Sequence, residues 1–296
     1  MLSTVLSQSP ALFIGVCCVL GLLIGSFLNV VIYRVPKMLE RDWRAQCAEL
    51  NGQEPPAAPP FNLVKPRSAC PACNAPITAT QNIPVISWLV LKGKCTKCAA
   101  KISARYPVVE LLTGFAFAVV AWRFGYTLEC AAGLVLTAFL IALTGIDFDT
   151  QLLPDNMTLP LVWGGALLSL WGPVWAVGAA PIDPRTSIIG AVAGYLSLWS
   201  VYHLFKLLTG KEGMGYGDFK LFAALGAWFG WKMLLPIILF AAAVGAVTGI
   251  ILLSVQGKDR ATPIAFGPYL AVAGWLALLV GHDVVERYLG LFARPM

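Results

Sequence analysis

Charge is what this sequence has least of. Asp, Glu, Lys and Arg make up 12% of its 296 residues, whereas a soluble domain is about one-quarter charged. That shortfall excludes an ordinary water-facing globule. Histidine is nearly missing too: His203 and His282 stand far apart, so no Ser-His or Cys-His nucleophile is supported, and no His-Glu-x-x-His zinc-hydrolase motif occurs. The glycine-rich stretch GKEGMGYGDFK (Gly210 to Lys220) lacks the Lys-Ser/Thr pair of a phosphate loop and follows no strand pattern, which removes a nucleotide-loop reading. Neither Asp147 nor Asp149 stands in an Asp-Thr/Ser-Gly triplet, so a soluble aspartic-protease motif is absent as well.

What fills the space is apolar. The chain is 58% hydrophobic with a mean hydropathy of +0.76, and stretches long enough to cross a bilayer recur throughout it. Eight candidate spans emerge, at about 11–33, 107–122, 129–146, 157–172, 187–206, 219–231, 233–255 and 266–281. The fold class expected is therefore an all-α polytopic membrane protein. The sixth span is short for a full crossing, which predicts a tilted or broken helix. The first lacks a basic leader and a small-residue cleavage site, so it reads as a retained anchor. With eight alternating spans, 16 of the 21 Lys and Arg fall on one side, eleven of them in 34–107. That asymmetry predicts a cytoplasmic side and explains the basic segment without nucleic acid as a partner.

Residues 34–106 form the one sizeable soluble insert, between a first helix at 1–33 and a seven-helix domain at 107–296. Within it, NGQEPPAAPP (51–60) reads as a flexible Pro-rich connector. Cys70, Cys73, Cys95 and Cys98 follow as C-x2-C-x21-C-x2-C. Each C-x2-C turn can offer two thiolates to one ion, and two turns complete a tetrahedral shell. Disulfides are disfavoured in a reducing cytoplasm. A structural zinc is expected, with no open position for chemistry, stapling an insert too small to hold itself by a core alone. Redox cysteines are the alternative. Cys17, Cys18 and Cys130 lie in apolar spans and read as small packing residues.

Only fifteen acids occur, and most fall in loops or the insert. Glu129 and Asp155 read as caps of span starts, and Asp183, Asp259, Asp283 and Glu286 as loop charges. Glu110, one turn into the second span, is costly in a membrane helix and is expected to support structure by pairing with Arg105 or lining a polar cavity. Asp147, Asp149 and Asp155 cluster where the third span gives way to the fourth, in GIDFDTQLLPDNMTLP, and Asp218 ends GMGYGD at the start of the sixth. Alternating topology brings both clusters to the same face. Two facing carboxyls there would share a proton, because like charges cannot both ionise at close range, and could then activate water and polarise an amide. Helix capping and a proton or cation site of a transporter remain open on residues alone. Gly215 and Gly217 would allow a substrate strand close to the backbone.

Taken together, GSFLNVVIYRVP (25–36), the two C-x2-C pairs, NIPVISWLVLKGKC (82–95), YPVVELLTG (106–114), IDFDTQLLPD (146–155) and GMGYGDFK (213–220) resemble the bacterial type IV prepilin peptidases. The resemblance covers nearly the whole chain. It implies a GxGD-type aspartyl protease of the inner membrane that removes a basic leader from prepilins and pseudopilins. It also implies that the enzyme methylates the new N-terminus, usually Phe, with S-adenosylmethionine. It implies a catalytic pair, Asp147 and Asp218, with Asp149, Asp155, Gly215, Gly217, Lys220 and Glu110 in support. The resemblance, not the spacing, selects Asp147 over Asp149. The segment GPVWAVGAAPID (172–183) is longer than the family pattern leads one to expect. No fingerprint for the methyl donor can be read from the chain.

Overall fold

The computed structural model describes residues 2–54, 59–171, 176–177, 180–256 and 265–292. Asp259, residues 55–58 of the Pro-rich connector, and 172–175, 178 and 179 of the long segment lie outside them, as do the side chains of Asp283 and Glu286. Among the described residues, five helices are long and apolar enough to cross a membrane: Pro10–Leu50, Arg105–Phe124, Leu128–Thr150, Pro184–Thr209 and the stretch Trp231–Ile251. Contacts divide the chain into two compact units, 1–130 and 131–296.

In the first unit a short α1 (Leu2–Gln8) precedes α2 (Pro10–Leu50), a single helix of 41 residues. Pro10 occupies the first turn, where its missing N–H costs nothing. The helix does not stop at residue 33, where the hydropathy ends. Residues 37–50 are strong helix formers and carry an exposed Glu40–Arg44 pair one turn apart. At about 1.5 Å per residue such a helix runs about 60 Å, twice the hydrocarbon thickness, so one element serves as both span and water-facing rod.

A short α3 (Ile86–Val90) follows, then α4 (Arg105–Phe124), which packs along α2. Gly21 and Gly25 sit one turn apart on the contact face. A Cβ on Gly21 would lie 2.8 Å from the Gly114 Cα, and one on Gly25 would lie 2.7 Å from the Glu110 Cα. Small residues at this spacing let two membrane helices approach backbone to backbone. Asn29 Nδ2 donates to the Tyr106 carbonyl at 3.1 Å. The buried Arg34 donates to the carbonyls of Asn62 and Pro66, each at 2.7 Å, and its guanidinium lies 5.6 Å from the Phe61 ring. These bonds hold the segment around 61–66 against α2.

The second unit holds most of α5 (Leu128–Thr150), then α6 (Asp155–Leu170), α7 (Pro184–Thr209), α8 (Tyr216–Phe229), α9 (Leu234–Gln256) and α10 (Gly267–Phe292). A two-residue β pair, Ala176–Val177 with Ala180–Pro181, precedes α7. Helix α8 is the centre. It touches α6, α7, α9 and α10, and every residue from Leu221 to Phe229 is buried. A helix apolar on all sides must be enclosed on all sides. It has 14 residues and runs unbroken to its C-cap at Gly230 (φ 75°). The closest approach is to α7, where Gly190 and Gly194 receive the backbone of Gly226 and Phe222, and Ser187 Oγ donates to the Ala227 carbonyl at 2.8 Å. On the α6 side, Trp228 Nε1 donates to the Leu161 carbonyl at 2.7 Å.

Two capping expectations change. Thr127 rather than Glu129 caps α5, its Oγ1 accepting the Cys130 N–H at 3.2 Å. Asp183, expected to be a plain loop charge, caps α7 by accepting the Thr186 N–H at 2.7 Å. Sequence marks acidic residues near helix starts, but the rotation of the first turn decides which one reaches a free N–H.

Candidate active site and metal centre

The four cysteines are brought together by two turns of the same construction. In each, the residue after the second cysteine adopts positive φ (Asn74, 55°; Ala99, 56°). Its N–H bonds back to the carbonyl of the first cysteine, at 2.8 Å for Asn74 and 3.0 Å for Ala99. A single antiparallel bridge closes each turn from outside, Ala69 with Pro76 and Lys94 with Lys101. The four Sγ atoms all lie within 4.8 Å of one another, with Cys70–Cys98 at 3.8 Å and Cys73–Cys95 at 4.0 Å. A tetrahedral ion with bonds of about 2.3 Å to sulfur sets neighbouring sulfurs about 3.8 Å apart, so the spacing fits.

The local dipoles fit as well. The N–H groups of Cys98 and then Lys97 pull the Cys95 thiol down to about 6, and those of Cys73 and Ala72 lower Cys70. The Ala100 N–H favours ionisation of Cys98, yet the neighbouring sulfurs and burial push that thiol up to about 12. Four thiolates repel one another unless a cation stands among them.

The carboxylates are assembled differently. On α5, Leu136, Leu140 and Leu143 are fully buried and lie on one stripe, and Asp147 continues it three turns below Leu136. Asp149 is two residues further, on the opposite side of the helix, and is exposed. The two acids that spacing left equivalent are thus separated by rotation about the α5 axis. The helix ends in a four-residue turn. The Gln151 N–H returns to the Asp147 carbonyl at 2.9 Å with Gln151 at φ 55°, and Pro154 opens α6.

Asp218 sits in the first turn of α8, its carboxyl close to the N–H of Gly215, the residue capping that helix. That is where the acid of a capping box stands, so the capping reading bears on one oxygen at most. It does not account for the other. Asp218 Oδ1 and Asp147 Oδ2 are both buried without a hydrogen-bond partner among the described residues, and Trp275 Nε1 is the third such atom. The two carboxyls lie within electrostatic reach of one another. Buried acceptors normally find donors; a converging pair without them marks a place built for something other than stability.

The remaining expected residues surround this pair or stand elsewhere. Asp155 does not cap α6, since the cap position is Pro154. Its two oxygens instead accept from Lys220 Nζ at 2.6 and 2.7 Å, tying the first turn of α6 to the first turn of α8. Gly217 is a glycine because a Cβ there would stand 2.6 Å from the Leu153 Cβ. Its close approach is to the chain's own α5–α6 turn. Glu110 lies in the first unit, where Oε2 accepts the Val85 N–H at 2.7 Å and Ser26 supplies a second bond; it holds the segment leading into α3 against α4.

Sequence reasoning missed Leu153 and Gly267. Leu153 lies between the two glycines, for a Cβ on Gly267 would come 3.0 Å from Leu153 Cδ1 and 2.6 Å from Asp147 Oδ2. The pattern Phe266-Gly267-Pro268 was the available signal, a glycine at a helix start before a proline.

Comparison with known proteins agrees with this partition. Residues 19–124 match the family model described as the bacterial peptidase A24 N-terminal domain, and 134–250 match the type IV leader peptidase family. The chain is 52% identical over 290 residues to the prepilin leader peptidase/N-methyltransferase of Stutzerimonas stutzeri, covering 98% of both chains. It is 51% identical over 285 residues to the protein of that name from Pseudomonas aeruginosa (96% of both). Against the one from Neisseria gonorrhoeae it is 50% identical over 279 residues, 93% of this chain and 92% of the relative. No solved structure matches the chain.

Proposed function

The chain belongs to the type IV leader peptidase family, and from that premise we propose that it is a membrane aspartyl endopeptidase and N-methyltransferase acting on prepilins and pseudopilins. The observation that carries the peptidase half is the convergence of Asp147 and Asp218, each with one buried oxygen left without a partner. One carboxyl, ionised, takes a proton from a water as its oxygen bonds to the scissile carbonyl carbon. The other, protonated, donates to the carbonyl oxygen. Collapse breaks the C–N bond: the proton taken from water goes to the departing amine, and a hydroxyl on the tetrahedral carbon returns its proton to the second carboxylate as the carbonyl re-forms. Lys220 and Asp155 hold the two helix starts in register, and Gly217 lets the α5–α6 turn close beside them.

The substrate reading follows from the same site. A prepilin carries a basic leader followed by an apolar helix, and both aspartates sit at helix ends. The excess of Lys and Arg in 34–107 supports a cytoplasmic site for the insert and these helix ends in a bacterial inner membrane. The metal supported best is zinc, held by Cys70, Cys73, Cys95 and Cys98. It would brace the insert at 34–106 and, with four sulfur ligands, leave no position for substrate. S-adenosylmethionine is the methyl donor the family implies; no described residues mark out its site, and no step is routed through it.

The test is cleavage of a prepilin peptide with a basic leader, a Gly-Phe junction and an apolar helix, by the purified protein in detergent. The wild type should shorten it, and Asp147→Asn and Asp218→Asn should each abolish shortening. Undiminished cleavage by either variant would remove that residue from the pair.

A further inference from the structure

The catalytic pair has a third wall, the amino end of α10. Four residues open that helix. Leu270 and Tyr269 return their N–H groups to the Phe266 carbonyl, at 3.3 and 3.1 Å, and Pro268 has none to give. The Gly267 N–H is what remains of the first turn's donors, and it lies beside the Asp147 carboxyl. Gly267 is itself buried. Its backbone is not in the left-handed region, since its φ does not fall among the positive values, so any residue could adopt its torsions. What a side chain could not do is fit. A Cβ at this position would stand 2.6 Å from Asp147 Oδ2 and 3.2 Å from its Cγ. Real Cβ atoms do not approach so closely, and the buried carboxyl would have to turn away.

We propose that Gly267 is a positioning residue for peptide cleavage: its N–H and the space left by its missing side chain fix the Asp147 carboxyl in the orientation that faces Asp218. The orphaned Oδ2 of Asp147 is the second observation on which this stands, because a buried oxygen without a donor keeps its direction only if something else holds the carboxyl. The helix N-terminus adds a fixed positive end beside that group. The proposal rests on the aspartyl-protease reading of the pair.

The experiment is Gly267→Ala, measured by steady-state cleavage of the prepilin peptide. A misplacement of about 1 Å costs about 100-fold in rate, so kcat should fall by about that factor with KM changed less than about threefold. Adding Leu153→Ala, which removes the other atom the new Cβ would meet, should not restore kcat. Wild-type kcat in Gly267→Ala, or recovery on adding Leu153→Ala, overturns the proposal in favour of ordinary packing.

Stability gives a second route should the single variant fold poorly. Gly267→Ala should lower Tm more in the wild-type background than in Asp147→Ala, where the obstructing carboxyl is gone and only the Leu153 contact remains. An equal loss in both backgrounds overturns the proposal. If the wild-type protein itself fails to cleave the peptide, the protease reading falls, and the Tm comparison still decides whether residues 147 and 267 are coupled.

Discussion

The cysteine cluster and the carboxylate pair are both sets of ionisable groups held close together, and they are built in opposite ways. Each cysteine turn is complete within eight residues: the bridge, the positive-φ residue and the N–H groups aimed at sulfur all come from neighbours in the chain. The carboxylate pair draws on the ends of α5, α8 and α10, and the α5–α6 turn is wedged between Gly217 and Gly267. In the first site the sulfurs receive nearby dipoles. In the second, one oxygen of each acid receives nothing from the described residues. Local turns bring four sulfurs to a spacing that fits one ion. Packed helix ends make a site in which two buried carboxyl oxygens are left without a partner among the described residues.

Four perturbations sharpen this contrast. The largest effect belongs to the pair. Asp147→Asn should reduce cleavage by about 10³-fold or more, while methylation of an already cleaved peptide persists and bound metal, measured by elemental analysis, is unchanged. Loss of methylation in a folded variant would argue that the two activities share this site. Next is Cys70→Ser with Cys98→Ser. Metal content should drop from about one ion per chain to none, and the segment 60–104 should become sensitive to protease, because a small insert without its staple loses most of its stability. Retained metal would refute the four-sulfur site.

A smaller effect is expected at the ion pair between Asp155 and Lys220. The lysine side chain is 25% exposed and the aspartate 58%, so water screens the bond, and its removal should cost no more than about 1 kcal/mol of stability. The loss in kcat should be about tenfold, because a small displacement of a helix start is felt at the reacting atoms. Exchanging the two residues should recover part of it. The smallest effect should come from Asp149→Asn. Exposed and turned away from Asp147, it should leave cleavage within about threefold of wild type, as substitutions at exposed positions usually do.

Much of the first site was legible beforehand because its information is local. C-x2-C repeated names the ligands, and turn chemistry does the rest. Five of the eight expected spans, 11–33, 107–122, 129–146, 187–206 and 233–255, coincide with helices long enough to cross, since apolar length needs no partner to be recognised. The extension of α2 to Leu50 was less legible, because hydropathy reports the solvent around a helix and not where its hydrogen bonds stop. Within the second site, residues alone narrowed the field to four aspartates. Choosing between Asp147 and Asp149 needed either the family resemblance or the rotation of α5, because in a helix that is apolar throughout, periodicity does not reveal which face is enclosed. Gly267 was missed: its Gly-Pro signal marks a helix start but not its neighbour Asp147, far away in the chain.

The sequence by itself determined a polytopic helical membrane chain, two cysteine turns able to share an ion, and a short set of acids at helix ends. Those properties follow from composition and from contacts a few residues apart. Tertiary structure alone decided which acids are buried and which exposed, why α8 is enclosed, and which glycines must have no side chain. Such outcomes depend on distances between segments remote in the chain, set by how closely one backbone can approach another.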